Sequence, residues 1–280
     1  MSYANSRAWR TAAIRKRHQH GQLRQPFCNY ASHPFHPATF FGLFGIEPWR
    51  AALEFASHHI ALAEANPAAG DGHPVIIFPG MGHRQHGRRS AARYCKSLGY
   101  EALDWGRGFN RGPQGDIDAW LADLKEHTAE LLSGFEKSAT FIGWSVGGIY
   151  ARELSKMMGR RVRQVITIGT PFNASADHTN VGWIFRLLSG SAPAFDAELS
   201  ARLRRAPAVP TTSIYSRSDG VVAWQTCKHE AESNRVQDLG AVGSHMDLGW
   251  NRSVLRIVRD RLAQAPGRWQ RYETDAVGMA

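Results

Sequence analysis

"ATFIGWSVGGIYARELSKMMG", residues 139–159, decides the reading of the fold. It opens on a mostly apolar run, "ATFIGW", that reads as a strand. It closes on "VGGIYARELSKMMG", helical in character and stopped by Gly159. Between the two stands a single hydroxyl, Ser145, hemmed in by Gly143, Gly147 and Gly148. The stretch is either a glycine-rich turn that contains a serine or a turn built to present one. Steric considerations favour the second. A strand turning sharply into a helix pushes the corner residue toward strained angles, and its neighbours two positions away need to lack side chains.

Outward from this corner the chain alternates. "PVIIFP" (74–79), "EALDW" (101–105), "RQVITIG" (163–169) and "TTSIYS" (211–216) read as further strands. "RRSAARYCKSLGY" (88–100), "DIDAWLADLKEHTAELLSGF" (116–135) and "NRSVLRIVRDRLAQ" (251–264) read as helices, as does "EPWRAALEFASHHIALAEA" (47–65). Strands alternating with helices of this length predict an α/β architecture: a mostly parallel central sheet with helices on both faces. The alternation lapses after Gly169. An insertion over about residues 172–207, holding "VGWIFRLLSG" and "AFDAELSARLRR", reads as a small helical cap.

Composition narrows the class. The chain has 280 residues, 43% hydrophobic and 21% charged, and no apolar run approaches the length of a membrane span. Its formal net charge of +10 suggests nucleic acid until the distribution is considered. Residues 1–46 hold six Arg or Lys and no acid, which leaves only +4 on the remainder. The basicity belongs to a tail, and no nucleic-acid partner is expected. That tail reads as disordered, with an Arg-rich transit peptide as the sharper alternative. Residues 47–280 read as one domain carrying the cap. Three widely spaced cysteines, Cys28, Cys95 and Cys227, make no disulfide framework and suit a reducing, cytoplasmic compartment. No metal-ligand spacing is present, and no cofactor is expected. The oligomeric state is not legible.

A parallel sheet presents ligands beyond the carboxyl ends of its strands, and the chemistry-bearing residues collect there. Ser145 is the candidate nucleophile, in G-x-S-x-G context between strand and helix. A serine needs a base, and the base an orienting acid. His245, last of thirteen histidines, lies in "GAVGSHMDLGWN" between the final strand candidate and the final helix. Asp219 lies in a turn just after "TTSIYS". The order nucleophile, acid, base is thereby kept. Asp247 is the rival acid, but two residues from His245 it is poorly placed to reach that ring, and a surface or supporting role suits it better. Oxyanion donors are expected from backbone: Val146 N–H after the nucleophile, and Met81 N–H in the "FPGMG" turn. His83 borders that turn. Trp105, Trp144 and Trp224 stand at or just beyond strand ends, and Trp183 stands in the cap; Trp144, Trp183 and Trp224 are the candidate substrate contacts, with plain packing as the alternative.

Five segments taken together, "VIIFPGMG", "GWSVGGIYAREL", "VITIGTPF", "IYSRSDGVVAW" and "GSHMDLGWNRSVLRIVRDRLAQ", resemble an α/β-hydrolase of the bacterial lipase/esterase-like kind, over about residues 73–270. The resemblance implies a Ser145–Asp219–His245 triad, oxyanion donors at Met81 and Val146, and a small-molecule acyl ester, of chain length left open, as substrate. In such proteins the oxyanion turn is familiarly preceded by "HG"; here it is "PG", which blurs the subfamily. Acyl transfer or thioester cleavage would use the same residues, and a non-catalytic binding protein is the reading from another class.

Overall fold

The apolar runs become strands of one sheet. In the computed structural model, which describes residues 70–83, 89–173, 197–231 and 233–273, these are β1 (Pro74–Phe78), β2 (Glu101–Asp104), β3 (Ala139–Trp144), β4 (Val162–Ile168), β5 (Thr211–Ser216) and β6 (Val236–Ala241). Their order across the sheet is β2-β1-β3-β4-β5-β6. Every neighbouring pair is parallel, so the described sheet is wholly rather than mostly parallel. The chain runs from β1 outward to β2, then returns to the other side of β1 as β3. The crevice between the carboxyl ends of β1 and β3 is therefore the topological switch point, where such sheets hold their ligands.

Helices α1 (Arg89–Ser97), α2 (Ile117–Leu131), α3 (Val146–Met158), α4 (Ala197–Arg204) and α5 (Arg252–Ala263) cover both faces. Successive strand side chains alternate between two cores. Ile76, Phe78, Phe141 and Val165 pack with Leu124, Ile149, Leu154, Leu199 and Leu203 from α2, α3 and α4. Val75, Ile77, Ile142, Ile166 and Leu239 pack with Cys95 of α1 and with Val254, Ile257 and Leu262 of α5. Burying one such large side chain contributes about 1.5–3 kcal/mol. A helix cap contributes about 1 kcal/mol; examples are Asp116, which accepts from Ala119 N–H at 2.8 Å, and Asn251, which accepts from Ser253 N–H at 2.9 Å. The two cores therefore outweigh the caps in holding the fold.

One strand is absent from the sequence reading. β6, "VQDLGA", has a single β-branched residue and carries Gln237, Asp238 and Gly240. Among the described residues it pairs in the sheet only with β5, at the edge, where a strand need not be apolar on both faces. Of the segment expected to form a cap, α4 falls within the described residues, and Leu199 and Leu203 seat it against the α3 side of the sheet. The tail 1–46, the expected helix 47–65, "VGWIFRLLSG" and Trp183 lie outside the described residues. No helix among the described residues is long and apolar enough to cross a membrane.

Candidate active site

Ser145 joins β3 to α3 with φ 55° and ψ −129°, and it is the only described residue other than glycine with positive φ. Such a conformation costs on the order of 1–3 kcal/mol and persists only where the surroundings enforce it. Here the Ser145 N–H donates to Ile168 O at 2.8 Å, and its carbonyl accepts from Gly148 N–H at 3.0 Å. The two glycines singled out by the sequence are spatially necessary. A Cβ on Gly147 would stand 2.4 Å from Phe78 O, and one on Gly143 would stand 2.3 Å from Gly148 Cα. The corner is thus wedged against the end of β1 and against its own helix. The serine is 5% exposed and sits at the N-terminus of α3, whose dipole favours negative charge there.

The loop after β1 crosses directly over this corner. A Cβ on Gly80 would lie 3.2 Å from Ser145 Cβ and 2.9 Å from the Trp144 ring. Met81, the next residue, is partly buried against the α3-side core. His83 Nδ1–H donates to Met81 O at 2.8 Å, and its ring meets the Trp144 indole edge-on at 4.5 Å.

His245 and Asp219 are brought together from the loops after β6 and β5. The imidazole Nδ1–H donates to Asp219 Oδ2 at 2.7 Å. The other carboxylate oxygen accepts from Val221 N–H and Val222 N–H, each at 2.8 Å. Both side chains are buried, so the contact is screened little by solvent. With Nδ1 donating to the carboxylate, Nε2 is the nitrogen left to accept a proton. The residue is confined from two further sides, one at its backbone and one at its ring. Trp144 Nε1–H donates to His245 O at 3.2 Å, and Gly169 at the end of β4 comes so close that a Cβ there would lie 3.2 Å from His245 Cε1. Ile168, next to Gly169, is the residue whose carbonyl holds the Ser145 N–H. One strand end therefore fixes both the serine backbone and the imidazole.

The remaining candidates fall as follows. Trp144 is buried and close to both the His83 and the His245 rings, 5.4 Å from the latter. Trp224 stacks on Tyr215 at 5.5 Å, with Arg217 5.0 Å and Lys228 5.7 Å from its ring. Trp105 is a core residue: its ring lies parallel to that of Tyr150, and its Nε1–H donates to Gly108 O. Asp247 is not on the surface; it is buried and accepts from the Asn251 side chain. Among the described residues no group of three His, Cys, Asp or Glu is placed to hold a metal ion.

Solved structures show where the fold as a whole belongs. The lipase B of Aspergillus fumigatus superposes with a TM-score of 0.52 at 17% identity, over 73% of this chain and 56% of that one. An esterase of Pyrococcus furiosus gives 0.50 at 16% identity, over 68% and 81%. A metagenome-derived lipolytic enzyme gives 0.50 at 15% identity, over 69% and 93%. This chain has the α/β-hydrolase fold. No protein-family profile matches its sequence, and no curated protein does either. The chain spans little more than half the length of the fungal lipase, and at these identities the likeness speaks for the fold alone.

Within this α/β-hydrolase fold, sequence reasoning missed two residues beside the loop after β1. Asn110 is fully buried, and its side-chain Nδ2–H donates to Pro79 O at 2.7 Å. Tyr150, one turn into α3, donates its hydroxyl to Asn110 Oδ1 at 3.4 Å. Asn110 stands in "GFNRGPQG", which reads as an ordinary Gly- and Pro-containing loop. No local signal marks it, because its partners are remote in sequence.

Proposed function

We propose that this protein is a serine hydrolase that cleaves carboxylic esters through an acyl-enzyme. One observation carries the reading. A buried serine is held in a strained strand-to-helix corner at the switch point of a parallel sheet, and the strand end that holds its backbone also abuts a buried His245–Asp219 pair. Strain enforced on a polar residue at such a place is characteristic of functional sites.

In this reading Ser145 attacks the acyl carbonyl while His245 Nε2 takes its proton. Asp219 holds the Nδ1–H and stabilises the imidazolium, remaining ionised itself. Val146 N–H, at the start of α3, and Met81 N–H, in the loop over Ser145, receive the negative oxygen. His245 then returns the proton to the leaving alcohol. Water, activated by the same imidazole, releases the acid. Lipase and esterase names among the structural neighbours accord with this class of substrate.

The test is a series of p-nitrophenyl esters of increasing acyl length, with wild type and Ser145→Ala. Wild type should turn over at least one chain length, and the variant should lose about 10⁴-fold or more in kcat. Equal turnover by the two proteins would remove Ser145 from the mechanism. Inertness of wild type toward every chain length would count against the hydrolase reading as a whole.

A further inference from the structure

We infer that Asn110 is a positioning residue that sets the orientation of the peptide carrying the Met81 N–H. The inference rests on the ester-hydrolase reading above. It starts from three contacts made by one residue. Asn110 Nδ2–H donates to Pro79 O at 2.7 Å, its backbone N–H donates to His83 O at 3.3 Å, and its backbone carbonyl accepts from Gly82 N–H at 3.0 Å. Pro79 O belongs to the peptide before Gly80, and Gly82 N to the peptide after Met81. The Gly80–Met81 peptide between them holds the N–H assigned to the oxyanion. Peptide units are rigid planes, so fixing both flanking planes confines the middle one. None of these bonds uses the Met81 N–H itself.

The clamp has work to do because the loop is intrinsically loose. Gly80 and Gly82 flank Met81, and glycine readily visits either sign of φ; Gly82 sits at φ +71°. Gly80 cannot be replaced by a stiffer residue, since a Cβ would collide with Trp144 and crowd Ser145. Order therefore has to come from outside the loop. An oxyanion donor is effective only when aimed before charge develops. Asn110 meets this need, and its amide orientation is fixed by its partners. Oδ1 accepts from Gly112 N–H at 2.9 Å and from the Tyr150 hydroxyl at 3.4 Å, so Nδ2 faces the Pro79 carbonyl. Through Tyr150, the helix that starts at the nucleophile and the loop over it are tied to one side chain.

Asn110→Asp keeps the shape and the acceptor but turns a donor toward Pro79 O into a second oxygen. Asn110→Ala removes the side-chain bonds and leaves the backbone ones. Each is measured beside wild type on a p-nitrophenyl ester that wild type hydrolyses, and against a trifluoromethyl ketone, whose adduct with serine carries an oxyanion. We expect kcat to fall 10- to 100-fold, KM to stay within about 3-fold, and ketone affinity to fall in step with kcat. A merely structural residue would change melting temperature without this split. Folded variants with kcat and ketone affinity within 2-fold of wild type would overturn the proposal while leaving the hydrolase reading intact. Loss of fold in both variants would also overturn it, assigning Asn110 to stability alone. Inactivity of wild type on all esters would overturn the hydrolase reading, and this role with it.

Discussion

At the scale of single residues, the corner at Ser145 sets stability against chemistry. A serine at φ 55° is strained, whereas glycine tolerates positive φ. Ser145→Gly should therefore unfold at higher urea concentration than wild type, by about 1 kcal/mol after the greater chain entropy of glycine is deducted. It should also be inactive. A variant less stable than wild type would mean that the hydroxyl itself holds the corner together. Local signals carried much of this site into the sequence. Ser145, Gly143 and Gly147 obey a steric rule that operates within five residues. Asn110 obeys no such rule: its partners Pro79 and Tyr150 lie 31 and 40 positions away, and only the folded sheet brings them together.

At the scale of elements, the described helices follow from periodicity and end signals, five of the six described strands follow from short apolar runs, and β6 does not. Its polar residues have reasons that lie in other parts of the chain. Gln237 Nε2–H donates to Tyr272 O at 2.9 Å, and Asp238 Oδ1 accepts from His229 Nδ1–H at 2.7 Å. The second of these leads to a buried junction. Arg152 of α3 donates to His229 Nε2 at 2.8 Å and to the Leu203 and Arg205 carbonyls at 3.3 and 3.2 Å. Its guanidinium lies 3.7 Å over the Phe172 ring. Phe172 stands at the start of the insertion expected over residues 172–207, and Leu203 and Arg205 near its end, so one side chain ties together its two ends. Burial pulls the Arg152 pKa down to about 9, still charged at neutral pH. Arg152→Met fills the space but leaves the carbonyls and His229 Nε2 without a donor. We expect it to destabilise the protein by about 2–5 kcal/mol in urea unfolding. Arg152→Lys should recover only part of this, since an ammonium cannot spread over the same acceptors. Full stability in Arg152→Met would show that the junction is not holding the insertion.

For the whole molecule, buried histidines make stability depend on pH. His73 and His229 both lie below the ordinary imidazole value of 6.5, chiefly because burial disfavours the charged ring. Their hydrogen bonds to Asp71 and Asp238 act the other way and do not prevail. The unfolded chain takes up these protons near pH 6.5, and the folded chain only at lower pH. Below about 6.5 the unfolded state thus binds more protons, and stability falls until the folded values are passed. The urea midpoint should be steady from pH 8 to 7 and decline from pH 6.5 to 5, and the decline should be shallower in His229→Gln. A midpoint that rises on acidification would contradict the assignment of these rings as neutral.

The proposed function stands on Ser145 being a nucleophile. Mass spectrometry of the protein after exposure to a fluorophosphonate, followed by peptide mapping, reads this out at the residue itself. One adduct is expected, on Ser145, formed slowly or not at all when His245 is replaced by alanine. An unmodified protein, or an adduct on any other residue, would contradict it.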